Sequence, residues 1–458
     1  MYLVAGLGIT GQSVLRYFEA QSEVFLAFDT RESLDTELLK TSFPDVKFAL
    51  GSIPTSWYAQ FDTIVLSPGI SKLEPWVVAL QKLGKQVIGD IELFARAVGV
   101  PIISITGSNG KSTVTTMTGL ALQSAGYQVG VGGNIGEPVL DLLMDENEYD
   151  VYVLELSSFQ LETTYSLNTV AATILNISED HMDRYTDLEG YIQAKTQVFA
   201  NSERAVLPEG FSDLGLIHHA LISHFSISEG FIKSDTDYGV IHVDSPLGDQ
   251  VWLGYGKTPI VALADMKLKG RHHQLNVLAM MALCHSFDVA AEDFIHIAKT
   301  FDGLPHRTQL VGCYEGVAWI NDSKGTNVGA TLMAIESIGG QTRGQLILIA
   351  GGVGKDANFI DLRPAVEGFC RHTILFGRDQ AKIEHSLEGL PLTRVADLEQ
   401  AVNLAKSLAF AEDCVLFSPA CASFDQFVNY AQRGDIYSQL VRENYEDSTA
   451  DLNMAASC

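Results

Sequence analysis

The chain has 458 residues, 47% of them hydrophobic and 19% charged, enough for about two to four domains with substantial cores. Its 30 basic residues stand against 56 acidic ones, and the formal net charge of -26 repels nucleic acid and anionic lipid, so neither is an expected partner. The six cysteines form no CxxC pair, which argues against a zinc ribbon or a disulfide framework and suits a reducing cytoplasm. In chain order, YLVAGLGITGQSVLRYFEA reads as strand, glycine turn and helix. No basic start precedes an apolar core there, so no secretion signal is expected, and no uncharged apolar run is long enough to span a bilayer. EVFLAFDTRE adds a strand ending at Asp29, and FDTIVLSPGI a third that ends in a Ser-Pro-Gly loop. Gly6, Gly8 and Gly11 have GxGxxG spacing between strand and helix, with Asp29 one strand on. That context suits a dinucleotide, although a turn that only lets the helix pack is a serious competitor.

From Gly89 a second segment repeats the pattern. VPIISITGSNGKSTVTTMTGLALQSAG is strand, loop and helix, with Val114, Met117 and Ala121 at helical spacing and Gly126 as the stop. The loop departs from the usual phosphate-loop spelling, because Ile105 stands where the leading glycine belongs and Gly107 opens the turn. Backbone N–H groups across Gly107, Ser108, Asn109, Gly110, Lys111, Ser112 and Thr113 suit phosphate oxygens. Lys111 suits phosphate charge, and a hydroxyl of Ser112 or Thr113 suits Mg²⁺.

Glu155 ends the apolar strand VYVLEL, where a Mg²⁺ ligand belongs, beside the further oxygens of Ser157, Ser158 and Gln160. Asp180 and His181 are expected at the tip of the next strand, in metal or phosphate contact. Ile192, Lys195 and Phe199 fall on one helical face. Spacing alone favours a Lys195 that snorkels to water. The other reading is a desolvated amine that reacts with CO₂ to give a Mg²⁺-binding carbamate. YGVIHVDSPLGDQVWLGYG reads as an inserted hairpin, and residues 301–309 as a linker. Beyond it VAWINDSKG, QLILIAGGVGKD, HTILFGRD and CVLFSPACASFDQF are again strand-loop units, and the acidic end is expected to fray. The expected fold is α/β in three domains. Residues 1–89 form a Rossmann-like domain, 90–301 a P-loop ATPase-like domain with a small antiparallel β insertion, and 302–458 a second Rossmann-like domain.

The motifs TGSNGKST, LELSSFQL, NISEDHMDRY with its downstream lysine, LPHR, NDSKGTN and SPACASFDQF follow one another as in the Mur ligases, and the chain resembles that family over nearly its whole length. GLGITG, GSNGKST and NDSKGTN look most like its D-glutamate-adding members. The resemblance implies a monomeric cytoplasmic ligase. It would use ATP and Mg²⁺ to join D-glutamate to UDP-N-acetylmuramoyl-L-alanine through an acyl phosphate. It assigns Ile9, Thr10, Gly11, Thr30, Arg31 and Gly69 to the UDP moiety, with Asn134 placing the sugar substrate. Lys111, Glu155, His181 and Lys195 become catalytic. Glu155, His181 and a carbamate on Lys195 would hold one Mg²⁺, and Ser112 and Ser157 the other. Asn276, Arg307 and Asp322 would meet the nucleotide. Lys324, Thr326, Lys355, Ser423 and Tyr430 would place D-glutamate and the acyl phosphate. His273, Val353 and Tyr430 depart from the family's usual Asn, acid and Phe. A ligase for another amino acid and an oxidoreductase using GLGITG are the alternatives, and the joint presence of Lys111, Glu155, His181 and Lys195 argues against an inert nucleotide-binding scaffold.

Overall fold

The computed structural model describes residues 1–211, 221–245 and 248–445, and the acidic end expected to fray lies outside them. The chain forms two compact units. One comprises residues 1–177, 189–267 and 273–300; the other comprises 178–188, 268–272 and the chain from Phe301.

The first unit holds two sheets. Five parallel strands, β1 (Tyr2–Ala5), β2 (Phe25–Asp29), β3 (Lys47–Leu50), β4 (Thr63–Leu66) and β5 (Gln86–Ile88), lie in the order β3-β2-β1-β4-β5. That order reverses at β1, so the glycine turn after β1 opens at the crevice where Rossmann-like sheets take their ligands. The second sheet contains β6 (Ile102–Thr106), β7 (Val129–Gly133), β8 (Val151–Glu155), β9 (Ala171–Ile174), β10 (Arg204–Pro208), β11 (Leu221–Phe225), β12 (Tyr238–Ser245), β13 (Gly248–Tyr255) and β14 (Thr258–Ala262). Its order is β14-β13-β12-β11-β10-β9-β6-β8-β7. The expected hairpin is β12 and β13, which pair antiparallel and with β14 extend the edge of this sheet.

Every residue of β6 is buried, so Ile105 belongs to the strand and the loop starts at Gly107. The helix Lys111–Ser124 follows at once from Gly110, and Gly126 (φ +95°) closes it. One apolar core runs through both sheets, from Val4 and Phe18 to Leu154 and Leu207. An Arg16–Asp141 ion pair (2.7 Å) reinforces the junction from outside.

The second unit is built on β15 (Gln309–Tyr314), β16 (Val317–Asn321), β17 (Leu346–Gly351), β18 (Cys370–Phe376), β19 (Leu392–Arg394) and β20 (Cys414–Phe417), ordered β15-β16-β20-β17-β18-β19. Only β15 is antiparallel to its neighbour. Apolar clusters line both faces, one around Leu348 and Leu416, the other around Trp319 and Phe417. Two-sided burial is what a parallel sheet requires. Cys284, Cys370, Cys414 and Cys421 are free thiols. Among the described residues no helix is long and apolar enough to cross a membrane.

Candidate active site

In the second sheet β6 lies between β8 and β9, so the phosphate loop leaves a central strand with an acid-tipped strand beside it. Gly107 takes φ +148° and Gly110 φ +81°, conformations that L side chains rarely adopt. A Cβ on Gly107 would stand 3.2 Å from both Cβ and N of Leu175, and one on Gly110 would stand 3.1 Å from Oδ1 of Asn276. Asn276 is thereby placed at the loop, on the helix Arg271–Leu283 that also carries His273. Lys111 Nζ donates to the carbonyls of Gly107 and Ser108, both at 2.9 Å. Ser112 and Thr113 are buried in the first turn of the helix.

Asn176 was not singled out from the sequence, yet it clamps this loop. Its side chain accepts from Asn109 N (2.8 Å) and donates to Asn109 O (2.9 Å), while its carbonyl accepts from Ser108 N (3.0 Å). The sequence offers only an asparagine just past an apolar strand; that this strand, β9, lies next to β6 emerges from the sheet. The expectation that Asp180 and His181 tip that strand is corrected. β9 ends at Ile174, and both residues belong to the second unit. Past Ile174 the backbone still bonds to β6 and its loop, Leu175 N to Thr106 O (3.0 Å) and Ser108 N to Asn176 O, before the chain leaves the sheet.

Glu155 ends β8 and is 1% exposed. Its Oε1 accepts from Asn134 Nδ2 at 2.9 Å, whereas Oε2 is buried without a hydrogen-bond partner. A carboxylate oxygen so placed is costly unless something binds it. Ser157 caps the short helix Ser158–Leu161: Gln160 N donates to its hydroxyl (3.2 Å), which donates to Gln160 Oε1 (3.0 Å). That leaves the hydroxyl oxygen one lone pair for a cation.

Lys195 does not snorkel. It is 2% exposed; Nζ donates to Gly107 O (2.9 Å) and Thr106 Oγ1 (3.3 Å) and lies 4.6 Å from the ring centre of Tyr191. The apolar face points its amine at the phosphate loop, and Tyr191 in turn meets Ser108 Oγ at 3.2 Å.

At the first sheet, a Cβ on Gly11 would fall 1.8 Å from Gly6 O, so this glycine is required for the helix to close on the strand. Ile9 is 77% exposed beside the turn, and Thr30, Arg31 and Gly69 are also exposed. Asp29 is engaged within the protein. It accepts from Leu7 N (2.7 Å) and from Arg31 N, Nε and Nη2 (2.9, 2.8 and 2.8 Å). Burial raises its pKa, but these donors outweigh burial and hold the carboxyl below its ordinary value. The acid that a dinucleotide fold offers to ribose is therefore already engaged with Arg31 and Leu7.

In the second unit, Lys355 Nζ donates to Asp180 Oδ1 (2.8 Å), and Asn327 Nδ2 to Asp180 Oδ2 (3.0 Å). Burial opposes ionisation, yet Lys355 and His181 hold the Asp180 carboxyl well below the usual carboxylate range. His181 and Lys355 take positive φ, +59° and +49°, and with Thr326 they line a small hollow. Lys324 Nζ sits 3.9 Å from the centre of the Tyr430 ring, so the aromatic ring that replaces the expected Phe holds a cation. Val353 exchanges two backbone hydrogen bonds with Ala422 (2.8 and 2.9 Å), ordering the loop next to the buried Ser423. Asp322 accepts from Ser418 Oγ (2.6 Å) and Thr308 N (3.1 Å), next in chain to Arg307. Burial pushes its carboxyl up to about 6 against those bonds and the charges of Arg307 and Arg433.

Residues 1–89 match the Mur ligase MurD-like N-terminal domain, 105–284 the Mur ligase middle domain, and 306–421 the Mur ligase glutamate ligase domain. The UDP-N-acetylmuramoylalanine--D-glutamate ligase of Hydrogenovibrio crunogenus is 57% identical over 443 residues, covering 97% of this chain and 98% of that protein. The enzyme of the same name from Legionella pneumophila is 42% identical, over 96% and 99%. Among solved structures, the UDP-N-acetylmuramate-alanine ligase of Thermotoga maritima superposes with a TM-score of 0.57 at 17% identity, covering 98% of this chain and 99% of that one. The MurF ligase of Thermotoga maritima in complex with ADP gives 0.61 at 16% identity, over 97% and 95%. Those identities carry the fold alone: three α/β domains, two of them Rossmann-like and the third built on a P-loop ATPase-like sheet with an antiparallel insertion.

Proposed function

This chain belongs to the Mur ligase family, and we propose that it joins D-glutamate to UDP-N-acetylmuramoyl-L-alanine with consumption of ATP. Near full-length likeness to named D-glutamate ligases carries this reading. The glycine-shaped loop beside a buried, half-unpartnered Glu155 supports the phosphoryl-transfer part of it. We read the division of labour as residues 1–89 for the UDP substrate, 90–301 for ATP and 302–458 for the amino acid, in a cytoplasmic monomer.

The substrate carboxylate attacks the γ-phosphorus of ATP and ADP leaves. The D-glutamate amine then attacks the acyl carbon, phosphate leaves, and the amine gives up a proton. The first step brings two anions together and needs fixed positive charge. The loop's backbone N–H groups and the helix N-terminus after Gly110 hold the phosphates. Lys111 exchanges its two carbonyl partners for phosphate oxygens. Asn276, Arg307 and Asp322 are assigned to the nucleotide. Ile9, Thr10, Gly11, Thr30, Arg31, Gly69 and Asn134 are assigned to the UDP substrate. Lys324, Thr326, Lys355, Ser423 and Tyr430 are assigned to D-glutamate and the acyl phosphate.

Mg²⁺, when bound, would neutralise phosphate charge and polarise the transferred group. Glu155 Oε2 and the remaining lone pair of Ser157 fit such an ion, and the buried hydroxyl of Ser112 lies in the first turn of the loop's helix. Carbamylation would turn Lys195 from a buried cation into a carboxylate and leave one N–H for Gly107 O.

The test is the amino-acid dependence of phosphate release from ATP. Release is expected only with UDP-N-acetylmuramoyl-L-alanine and D-glutamate together. Equally fast release with L-alanine or meso-diaminopimelate in place of D-glutamate would overturn the substrate assignment.

A further inference from the structure

Arg433, on the helix Tyr430–Glu443, belongs to no assigned group, yet its side chain is 0% exposed. Nε donates to Ser323 Oγ (3.1 Å), Nη2 to Ser323 O (2.8 Å) and Nη1 to Cys421 O (3.1 Å). One guanidinium therefore ties together two loops that are about a hundred residues apart in sequence. The first loop precedes Lys324 and Thr326, and the second precedes Ser423. Ser323 Oγ also donates to Tyr430 O (2.8 Å), which closes the ring back onto the helix that carries Arg433.

The surroundings leave little freedom. A Cβ on Gly352 would lie 3.3 Å from Arg433 Nη1, and Ala420 takes φ +58° just before the bonded carbonyl. The acceptors are neutral: two carbonyls and a hydroxyl. No carboxylate lies within ion-pair distance among the described residues. Burial lowers its pKa to about 10, so the group stays charged at neutral pH. Asp322 and Asp425 favour the charge from a distance, but a buried cation without a bonded counter-ion is still costly if its task is packing alone, since a neutral side chain would pack there at less cost. Its charge gains a use when anionic ligands occupy the adjacent loops.

We propose that Arg433 is a positioning residue for the amino-acid substrate, holding the Ser323 and Cys421 loops in one register so that Lys324 and Ser423 present together to a dicarboxylate. This rests on the assignment of Lys324 and Ser423 to D-glutamate made above.

The experiment compares the full-length chain with Arg433→Lys, Ser323→Ala, the double variant and Lys324→Ala, measuring the KM for D-glutamate and for UDP-N-acetylmuramoyl-L-alanine. Arg433→Lys keeps the charge and loses the fork; its KM for D-glutamate should rise about tenfold, with the UDP-substrate KM within about twofold. Ser323→Ala, a mild change, should raise the same constant about threefold, and adding it to Arg433→Lys should do less than multiply the two effects. In one further variant, Arg433→Gly, added guanidinium ion should restore part of the D-glutamate affinity, and a failure to restore any counts against the inference. The inference is overturned if both constants move together, if Ser323→Ala leaves the D-glutamate KM unchanged, or if the two effects multiply in full. Lys324→Ala separates the premise: if its D-glutamate KM is unchanged the site assignment fails, whereas a rise there with none in Arg433→Lys or Ser323→Ala defeats this inference alone.

Discussion

The loop at residues 107–113 is shaped by its own backbone, whereas the loops at 321–326 and 418–423 are shaped by side chains that arrive from elsewhere. In the first unit two glycines at positive φ turn the chain, the helix starts, and one asparagine just past the neighbouring strand β9 fixes the result. In the second unit the loops depend on Arg433, on Asp322 with Ser418, and on Asn321, whose amide donates to Gly434 O (2.9 Å) and Ser438 Oγ (3.0 Å). A backbone-built site presents many N–H groups to an anion of fixed shape, as polyphosphate is. Loops held by side chains can be re-spelled without disturbing the sheet beneath them.

If that contrast holds, substitutions in the two places fail differently. Lys111→Met removes the loop's cation and should slow phosphate release about a thousandfold with the melting temperature nearly unchanged; a large fall in melting temperature would mean the loop leans on this side chain after all. Lys355→Met strands the buried Asp180 without its cation and should destabilise the protein by about 3 to 4 kcal/mol in thermal unfolding. Because Asp180 is held below its ordinary pKa, the stability from this pair is present above that value and lost as pH falls. The Met variant should therefore converge on the parent in acid, and a constant difference across pH would break the assignment.

Asp322→Asn probes the opposite shift. Folded Asp322 protonates at about 6, against an ordinary 3.8, so between those values the folded state binds more protons and stability falls as pH rises. The parent should lose about 3 kcal/mol relative to the Asn variant across that window, given about 1.4 kcal/mol per pKa unit. Parallel pH profiles would show that burial of this carboxyl has no consequence for the network.

The same contrast governs what could be read from the sequence. β6, its loop and its helix were legible because an apolar run, two glycines and a 3.6-residue period lie in one stretch of chain. Glu155 was legible as an acid ending an apolar strand. Strand β7 was not, because VGVGG looks like a turn; its glycines are there to admit neighbours, since a Cβ on Gly130 would lie 2.5 Å from the Tyr152 ring and one on Gly132 2.4 Å from Leu142. Of residues 301–309, read as a linker, 301–308 are irregular, but Gln309 already opens an edge strand that the Gly-Leu-Pro turn before it hid. Spacing alone sent the Lys195 amine to water, because spacing gives the face a residue occupies and not what its far end meets. Arg433 could not be found at all, since its partners Ser323 and Cys421 become neighbours only when β16 and β20 pair.

Gly107→Ala tests the backbone half of the contrast directly. At φ +148° an L side chain is strained whatever space surrounds it, and here the new Cβ would also press at 3.2 Å on the backbone nitrogen and Cβ of Leu175. Leu175 cannot withdraw freely, because its N–H is bonded to Thr106 O and the next residue, Asn176, clamps the loop. The strain of about 2 kcal/mol must be relieved by moving the loop, which predicts a phosphate-release rate down roughly thirtyfold. The KM for D-glutamate should stay within about twofold of the parent, since the loops at 321–326 and 418–423 owe nothing to this backbone. A variant that keeps its phosphate-release rate, or that loses D-glutamate affinity as severely as ATP turnover, would show that the two sites are not shaped independently.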